Sequence, residues 1–218
     1  MMMQSLSDVI VFDLDDTLYK EVSFVESGFN VIASQLGNLS YADEMMSSWR
    51  NGKNAFEQLI VNHSLASSVE ELLTVYRTHV PTIALDISIV ATLDALVENG
   101  KILGIITDGR SVTQRNKINA LGLHRWFPDD NIIISEEFGS SKPDARNYIF
   151  FMSKYPGKTY TYIGDNISKD FVAPKSLGWQ TICLKDNGQN IHSQDFGLGE
   201  EYLPEITVKN ILEIRDLI

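Results

Sequence analysis

Val9-Ile-Val-Phe-Asp13-Leu-Asp15-Asp16-Thr17-Leu18 is an apolar run that breaks off into carboxylates. Consecutive apolar residues without polar alternation suit a strand buried on both faces, and the Asp-Asp-Thr that follows marks where the chain leaves a sheet. From about Tyr19 to Leu85 the pattern changes. Apolar residues recur at helical spacing (Phe24, Gly28, Val31 and Ile32, then Phe56, Leu59 and Ile60, then Leu72, Leu73 and Tyr76), which predicts an all-helical insertion.

After Pro81 strands and helices alternate. Val90, Leu93 and Val97 mark a helix closed by Gly100, followed by the apolar strand Ile102-Leu-Gly-Ile-Ile-Thr107. Ser111 with Gln114 three residues on fits a capping box, opening a helix that stops at Gly122. Asn131-Ile-Ile-Ile-Ser135, Tyr160-Thr-Tyr-Ile163 and Gln180-Thr-Ile-Cys-Leu184 complete five strands, with a helix expected over 144–154. Residues 186–199, polar and glycine-rich, read as a loop before a weaker C-terminal strand or helix. Together these predict an α/β fold. A three-layer, Rossmann-like parallel sheet takes residues 1–18 and 86–218, and a small helical domain, residues 19–85, is inserted after the first strand.

The composition, 44% hydrophobic and 22% charged, is that of a folded soluble protein, and no segment approaches the ~20 apolar residues of a membrane helix. The first residues lack a basic stretch followed by an apolar one, so no secretory signal is expected and a cytoplasmic location follows. Cys183, the only cysteine, lies in an apolar run and is expected in the core. A net charge of −11 argues against nucleic acid, whose backbone needs clustered Lys and Arg. It leaves a small-molecule partner. An anionic one would require a metal ion or a local cationic cluster to reverse the field. The oligomeric state is left open.

In an open parallel sheet, ligands bind at the carboxyl ends of the strands. The polar residues there are Asp13, Asp15 and Thr17; Thr107, Asp108, Gly109 and Arg110; Ser135 and Lys142; and Gly164, Asp165, Asn166 and Asp170. Taken singly, Asp165 or Asp170 is an ordinary helix cap, Thr107 a strand-end residue and Lys142 a solvated lysine. Converging from four strand ends they are a constellation, and clustered carboxylates need a cation to coexist. Hard oxygen ligands suit Mg²⁺.

Residues 9–18 resemble the first motif of the haloacid dehalogenase superfamily, an apolar strand followed by Asp-x-Asp-x-Thr. Ile102–Thr107 is similar to its second motif, Ser135–Asp144 with Lys142 to its third, and Ile163–Asp170 to its acidic fourth. The helical insertion resembles the cap of the subfamily whose cap follows the first strand. The resemblance implies a Mg²⁺-dependent phosphatase of small-molecule phosphate esters. In it Asp13 is the nucleophile, Asp15 the general acid and base, and Asp13, the Asp15 carbonyl and Asp165 the metal ligands. Thr107, Lys142 and the Asp108-Gly109 turn would bind the phosphoryl oxygens; Thr17, Asn166 and Asp170 would support them from behind. Dehalogenases of the superfamily lack the second aspartate, so Asp15 favours phosphoryl transfer. A phosphomutase, and a non-catalytic binding protein of the same fold, are the alternatives. Asp16 stands where glycine is commoner, and Asp108-Gly109-Arg110 follows the second motif where many relatives have Asn. Pro174 suggests that the helix after the fourth motif starts late.

Overall fold

The computed structural model describes residues 7–217. Strand β1 (Val9–Phe12) has no exposed residue, as its uninterrupted apolar sequence requires. Four helices follow: α1 (Glu21–Gln35), α2 (Ser40–Arg50), α3 (Ala55–His63) and α4 (Val69–Thr78). Their apolar faces meet in a core of their own, where Phe29, Ile32, Met45, Leu59 and Leu72 are buried. Asn54 starts α3 by accepting the Glu57 N–H, and Ser68 and Glu71 form a reciprocal capping box at α4.

The chain then runs through α5 (Ile87–Glu98), β2 (Ile102–Thr107), α6 (Ser111–Ala120), β3 (Ile132–Ile134), a single-turn α7 (Ser135–Phe138), α8 (Arg146–Lys154), β4 (Tyr160–Gly164), α9 (Val172–Ser176), β5 (Gln180–Leu184) and β6 (Ile206–Val208). A 3₁₀ segment, Ile211–Leu217, follows. All strand pairs are parallel, in the order β3-β2-β1-β4-β5-β6. Because successive side chains of a strand point to opposite faces, β1 serves two cores. Ile10 and Phe12 pack with Leu93, Ile118 and Ile214 on one face; Val9 and Val11 pack with Tyr148, Phe151 and Trp179 on the other. Each fully buried side chain of this kind contributes about 1.5–3 kcal/mol.

The expected C-terminal element is a sixth strand, β6, followed by the 3₁₀ segment. Helix α5 buries Ile89, Leu93 and Leu96, whereas Val97 is exposed. Helix α9 begins at Val172, with Pro174 inside its first turn, where a missing N–H costs nothing. The Ser111–Gln114 capping box does not form. Arg110 precedes α6 without a side-chain cap, the Ser111 N–H and hydroxyl donate to Glu136 and Glu137 of α7, and Gln114 is buried elsewhere. Cys183 is buried, and burial pushes its thiol up to about 12. No described helix is long and apolar enough to cross a membrane.

Candidate active site

Asp13 is the first residue beyond β1, and its N–H continues the ladder by donating to the Ile163 carbonyl at 2.8 Å. Its Oδ1 accepts the Leu14 N–H at 2.8 Å and lies 2.8 Å from Lys142 Nζ. The Lys142 side chain, wholly buried, reaches in from the segment after α7. Its ammonium also lies 2.8 Å from Asp170 Oδ1 and donates to the Tyr162 hydroxyl at 3.1 Å. Asp170 in turn accepts the N–H groups of Asp165 and Asn166 at 3.1 and 2.9 Å. That turn requires a glycine at its head, because a Cβ on Gly164 would collide with the Asp170 carboxylate.

Asp13, Asp165 and Asp170 each offer an oxygen within 4.8 Å of the others, and all three are buried. Asp13 and Asp170 share the Lys142 ammonium within hydrogen-bond reach. Burial pushes the Asp13 carboxyl up to about 7 against the pull of Lys142, and pushes Asp165 up to about 8, with Asp13 and Asp170 adding to the rise. Burial disfavours the Lys142 ammonium too, but Asp13 and Asp170 outweigh it and hold that group well above the usual lysine range.

Asp15 forms the other wall. Its Oδ1 accepts from the Tyr19 hydroxyl at 2.6 Å and from Lys117 Nζ at 2.7 Å, and its Oδ2 accepts from Gln114 Nε2 at 2.9 Å. Gln114 also donates to the Thr107 hydroxyl at 2.5 Å. Burial would raise the Asp15 carboxyl; Lys117, Tyr19 and Gln114 together hold it below the usual range. Glu21 stands 3.6 Å from Lys117, and burial, with Asp15 beside it, pushes its carboxyl up to about 8. Asp13, Asp15, Thr107, Asp108, Asp165 and Asn166 line one cavity of about 140 Å³, which Glu21, Lys169 and His192 also border.

The sequence profile of haloacid dehalogenase-like hydrolases matches residues 10–184. The chain belongs to this family. It is 26% identical over 227 residues to the glyceraldehyde 3-phosphate phosphatase of Methanocaldococcus jannaschii, a match covering 96% of each chain. It is 29% identical over 190 residues to the phosphoglycolate phosphatase of Agrobacterium fabrum, covering 81% of this chain and 80% of the relative. The haloacid dehalogenase-type hydrolase YfnB of Bacillus subtilis, solved bound to magnesium, shares the fold with a TM-score of 0.70 at 18% identity over 97% of this chain and 98% of that one.

Several residues that sequence reasoning passed over belong to this haloacid dehalogenase-like site. Gln114 and Lys117 come from one face of α6, and Tyr19 and Glu21 from the junction with the insertion. A signal existed: Gln114, Lys117 and Ile118 occur at i, i+3 and i+4, so two polar residues occupy the stripe where a helix buries its apolar ones. The loop after β5 reaches the site as well. Asn190 Nδ2 donates to Asp165 Oδ2 at 2.8 Å, and Gln194 Nε2 donates to the Asp165 carbonyl at 2.8 Å.

The positions singled out as departures have local explanations. Asp16 adopts φ 57°, the left-handed conformation that Asp tolerates better than most residues, and its carboxylate accepts the Glu21 and Ile191 N–H groups at 3.0 and 2.8 Å. Asp108 accepts the Lys142 N–H at 3.0 Å and lies 3.2 Å from Lys169 Nζ. Gly109, at φ 149°, donates its N–H to Ser135 Oγ at 2.9 Å. Thr17 donates to Asp165 Oδ1 at 3.4 Å, and the Asn166 side chain accepts from Ser168. Buried hard-oxygen donors with surplus negative charge fit a divalent cation of the magnesium kind. Asp13, Asp165 and Asp170 are the buried carboxylates that could hold it.

Proposed function

We propose that this haloacid dehalogenase-like hydrolase is a phosphatase that cleaves small-molecule phosphate monoesters through an aspartyl-phosphate at Asp13. One observation carries it. Asp13 and Asp15, two residues apart at the end of β1, face a single cavity of about 140 Å³ that Thr107, Asp108 and Asp165 also line. A nucleophile, a second carboxylate to move a proton and polar groups to receive a phosphoryl group are thereby gathered in one place. The relatives named above act, by their names, on short phosphate esters, which supports a small substrate.

Asp13 attacks phosphorus, and the P–O bond to the leaving group breaks as that oxygen takes a proton from Asp15. Asp15, now a carboxylate, accepts a proton from water, whose oxygen attacks the phosphoryl group and returns Asp13. The Thr107 hydroxyl, the Lys142 ammonium and the amides of the Asp108-Gly109 turn offset charge on the phosphoryl oxygens. Asp13, the Asp15 carbonyl and Asp165 hold Mg²⁺, which when bound offsets phosphoryl charge. Thr17, Asn166 and Asp170 keep these groups in place. Residues 19–85 act as a cap over the cavity of a core formed by residues 1–18 and 86–218.

The test is a phosphate-release screen over a panel of phosphate monoesters, with and without Mg²⁺, using Asp13→Asn as control. Turnover is expected to need Mg²⁺ and to fall at least about a thousandfold in the variant. Undiminished turnover in Asp13→Asn would sink the nucleophile assignment, and silence of the wild type across the panel would sink the phosphatase.

A further inference from the structure

We propose that Lys117 is a positioning residue for Asp15, fixing that carboxylate at the cavity wall and tying it to Glu21 in the first turn of the helical insertion. The proposal rests on the phosphatase reading, in which Asp15 must deliver a proton to the leaving oxygen. Lys117 sits on α6 with only 2% of its surface exposed. Burying an ammonium is costly unless it is paired, and a well-packed apolar side chain would serve the fold at least as well. Its ammonium lies 2.7 Å from Asp15, 3.6 Å from Glu21 and 4.5 Å from the centre of the Phe24 ring. All three groups belong to the catalytic loop or to α1.

The fit at Asp15 is over-determined. Tyr19 and Lys117 share Oδ1, and Gln114, one turn before Lys117, takes Oδ2. Three donors on two oxygens fix both the plane and the direction of the carboxylate. Gln114 also donates to the Thr107 hydroxyl, so one helix face sets the acid–base group relative to a phosphoryl-binding group. Proton delivery needs a heavy-atom approach of about 2.6–3.2 Å, and a misplacement of about 1 Å costs on the order of a hundredfold in rate. Tyr19 and Glu21 flank the link into α1, so the placement of the insertion is felt at Asp15.

The experiment compares kcat/KM for an alkyl phosphate, whose leaving oxygen needs a proton, with that for dinitrophenyl phosphate, whose leaving oxygen does not. Lys117→Met is expected to lower the first by about a hundredfold and the second by less than about threefold, and Lys117→Arg to restore most of the loss. In an Asp15→Asn background, Lys117→Met should add less than about threefold, because a residue acting through another has nothing left to act on. Equal losses on both esters, or a full further loss in the Asp15→Asn background, would overturn the proposal. If the wild type cleaves neither ester, the phosphatase reading falls, and the pairing is judged by thermal unfolding. The Lys117→Met/Asp15→Asn double variant should then melt above Lys117→Met alone, since it carries one fewer uncompensated buried anion; melting at or below it overturns the proposal.

Discussion

Lys142→Met removes a charge from the interior while nearly preserving volume. The ammonium lies 2.8 Å from Asp13 and from Asp170, donates to Tyr162, and has no exposed surface. Breaking a buried pair by deleting one partner costs about 3–5 kcal/mol, because the other charge is left uncompensated, and here two carboxylates lose the same partner. Against a typical stability of about 5–15 kcal/mol this is a large fraction. For a chain of this size about 2–4 °C is lost per kcal/mol, so the unfolding midpoint should fall by roughly 6–20 °C. Differential scanning calorimetry of both proteins, with and without Mg²⁺, reads the effect. Added Mg²⁺ should recover part of the loss by supplying positive charge to Asp13, and Asp170→Asn in the Lys142→Met background should recover more. A fall below about 2 °C, or recovery by neither, would refute the view that one ammonium balances this cluster.

The ion should also be visible in the pH dependence of stability. Asp13 and Asp165 are raised by burial to about 7 and about 8. A carboxyl raised on folding contributes stability fully present below its unfolded value near 4, and that contribution is lost as pH rises through the folded value. The metal-free midpoint should therefore decline from about pH 5 to pH 9, with Glu21, raised to about 8, adding to the decline. Millimolar Mg²⁺ should flatten the part due to Asp13 and Asp165; an identical slope with and without the ion counts against a cation there. Gly164→Ala should cost about 1–3 kcal/mol, because its methyl group meets the Asp170 carboxylate, and an unchanged midpoint would contradict that packing.

The strand ends were legible in the sequence because each is a short apolar run closed by a polar residue, and that is where Asp13, Thr107 and Asp165 were found; Lys142, beyond α7, was found through the resemblance to the third motif. The helical insertion was legible from spacing alone. Strand β6 was legible only as a weak strand or helix, because three residues, Ile206–Val208, are too few to establish a period. Gln114 and Lys117 were hidden by their chemistry, since polar residues on a helix are ordinarily solvated, and only Tyr19, Asp15 and Glu21 beside them in space make their burial tolerable. Ser111 followed by Gln114 imitates a capping box. Glu136 and Glu137, 25 and 26 residues further on, capture Ser111 instead, and no local pattern announces that. The reach of Asn190 and Gln194 back to Asp165 was invisible for the same reason.

The central place of β1 bears on how the protein is made. It is bonded to β2 on one side and to β4 on the other, and Asp8 beside it is 151 residues from its partner Thr159. Asp16 waits still longer, 175 residues, for Ile191. At synthesis rates of about 5–20 residues per second, the segment that carries Asp13 leaves the ribosome roughly 8–30 s before β4, unpaired until β2 emerges and half paired from then on. Until Tyr160 emerges, one edge of this wholly apolar strand is open to any other strand nearby. The centre of the finished molecule is the sticky edge of the nascent one, and the chain's dependence on chaperones should be concentrated in that interval.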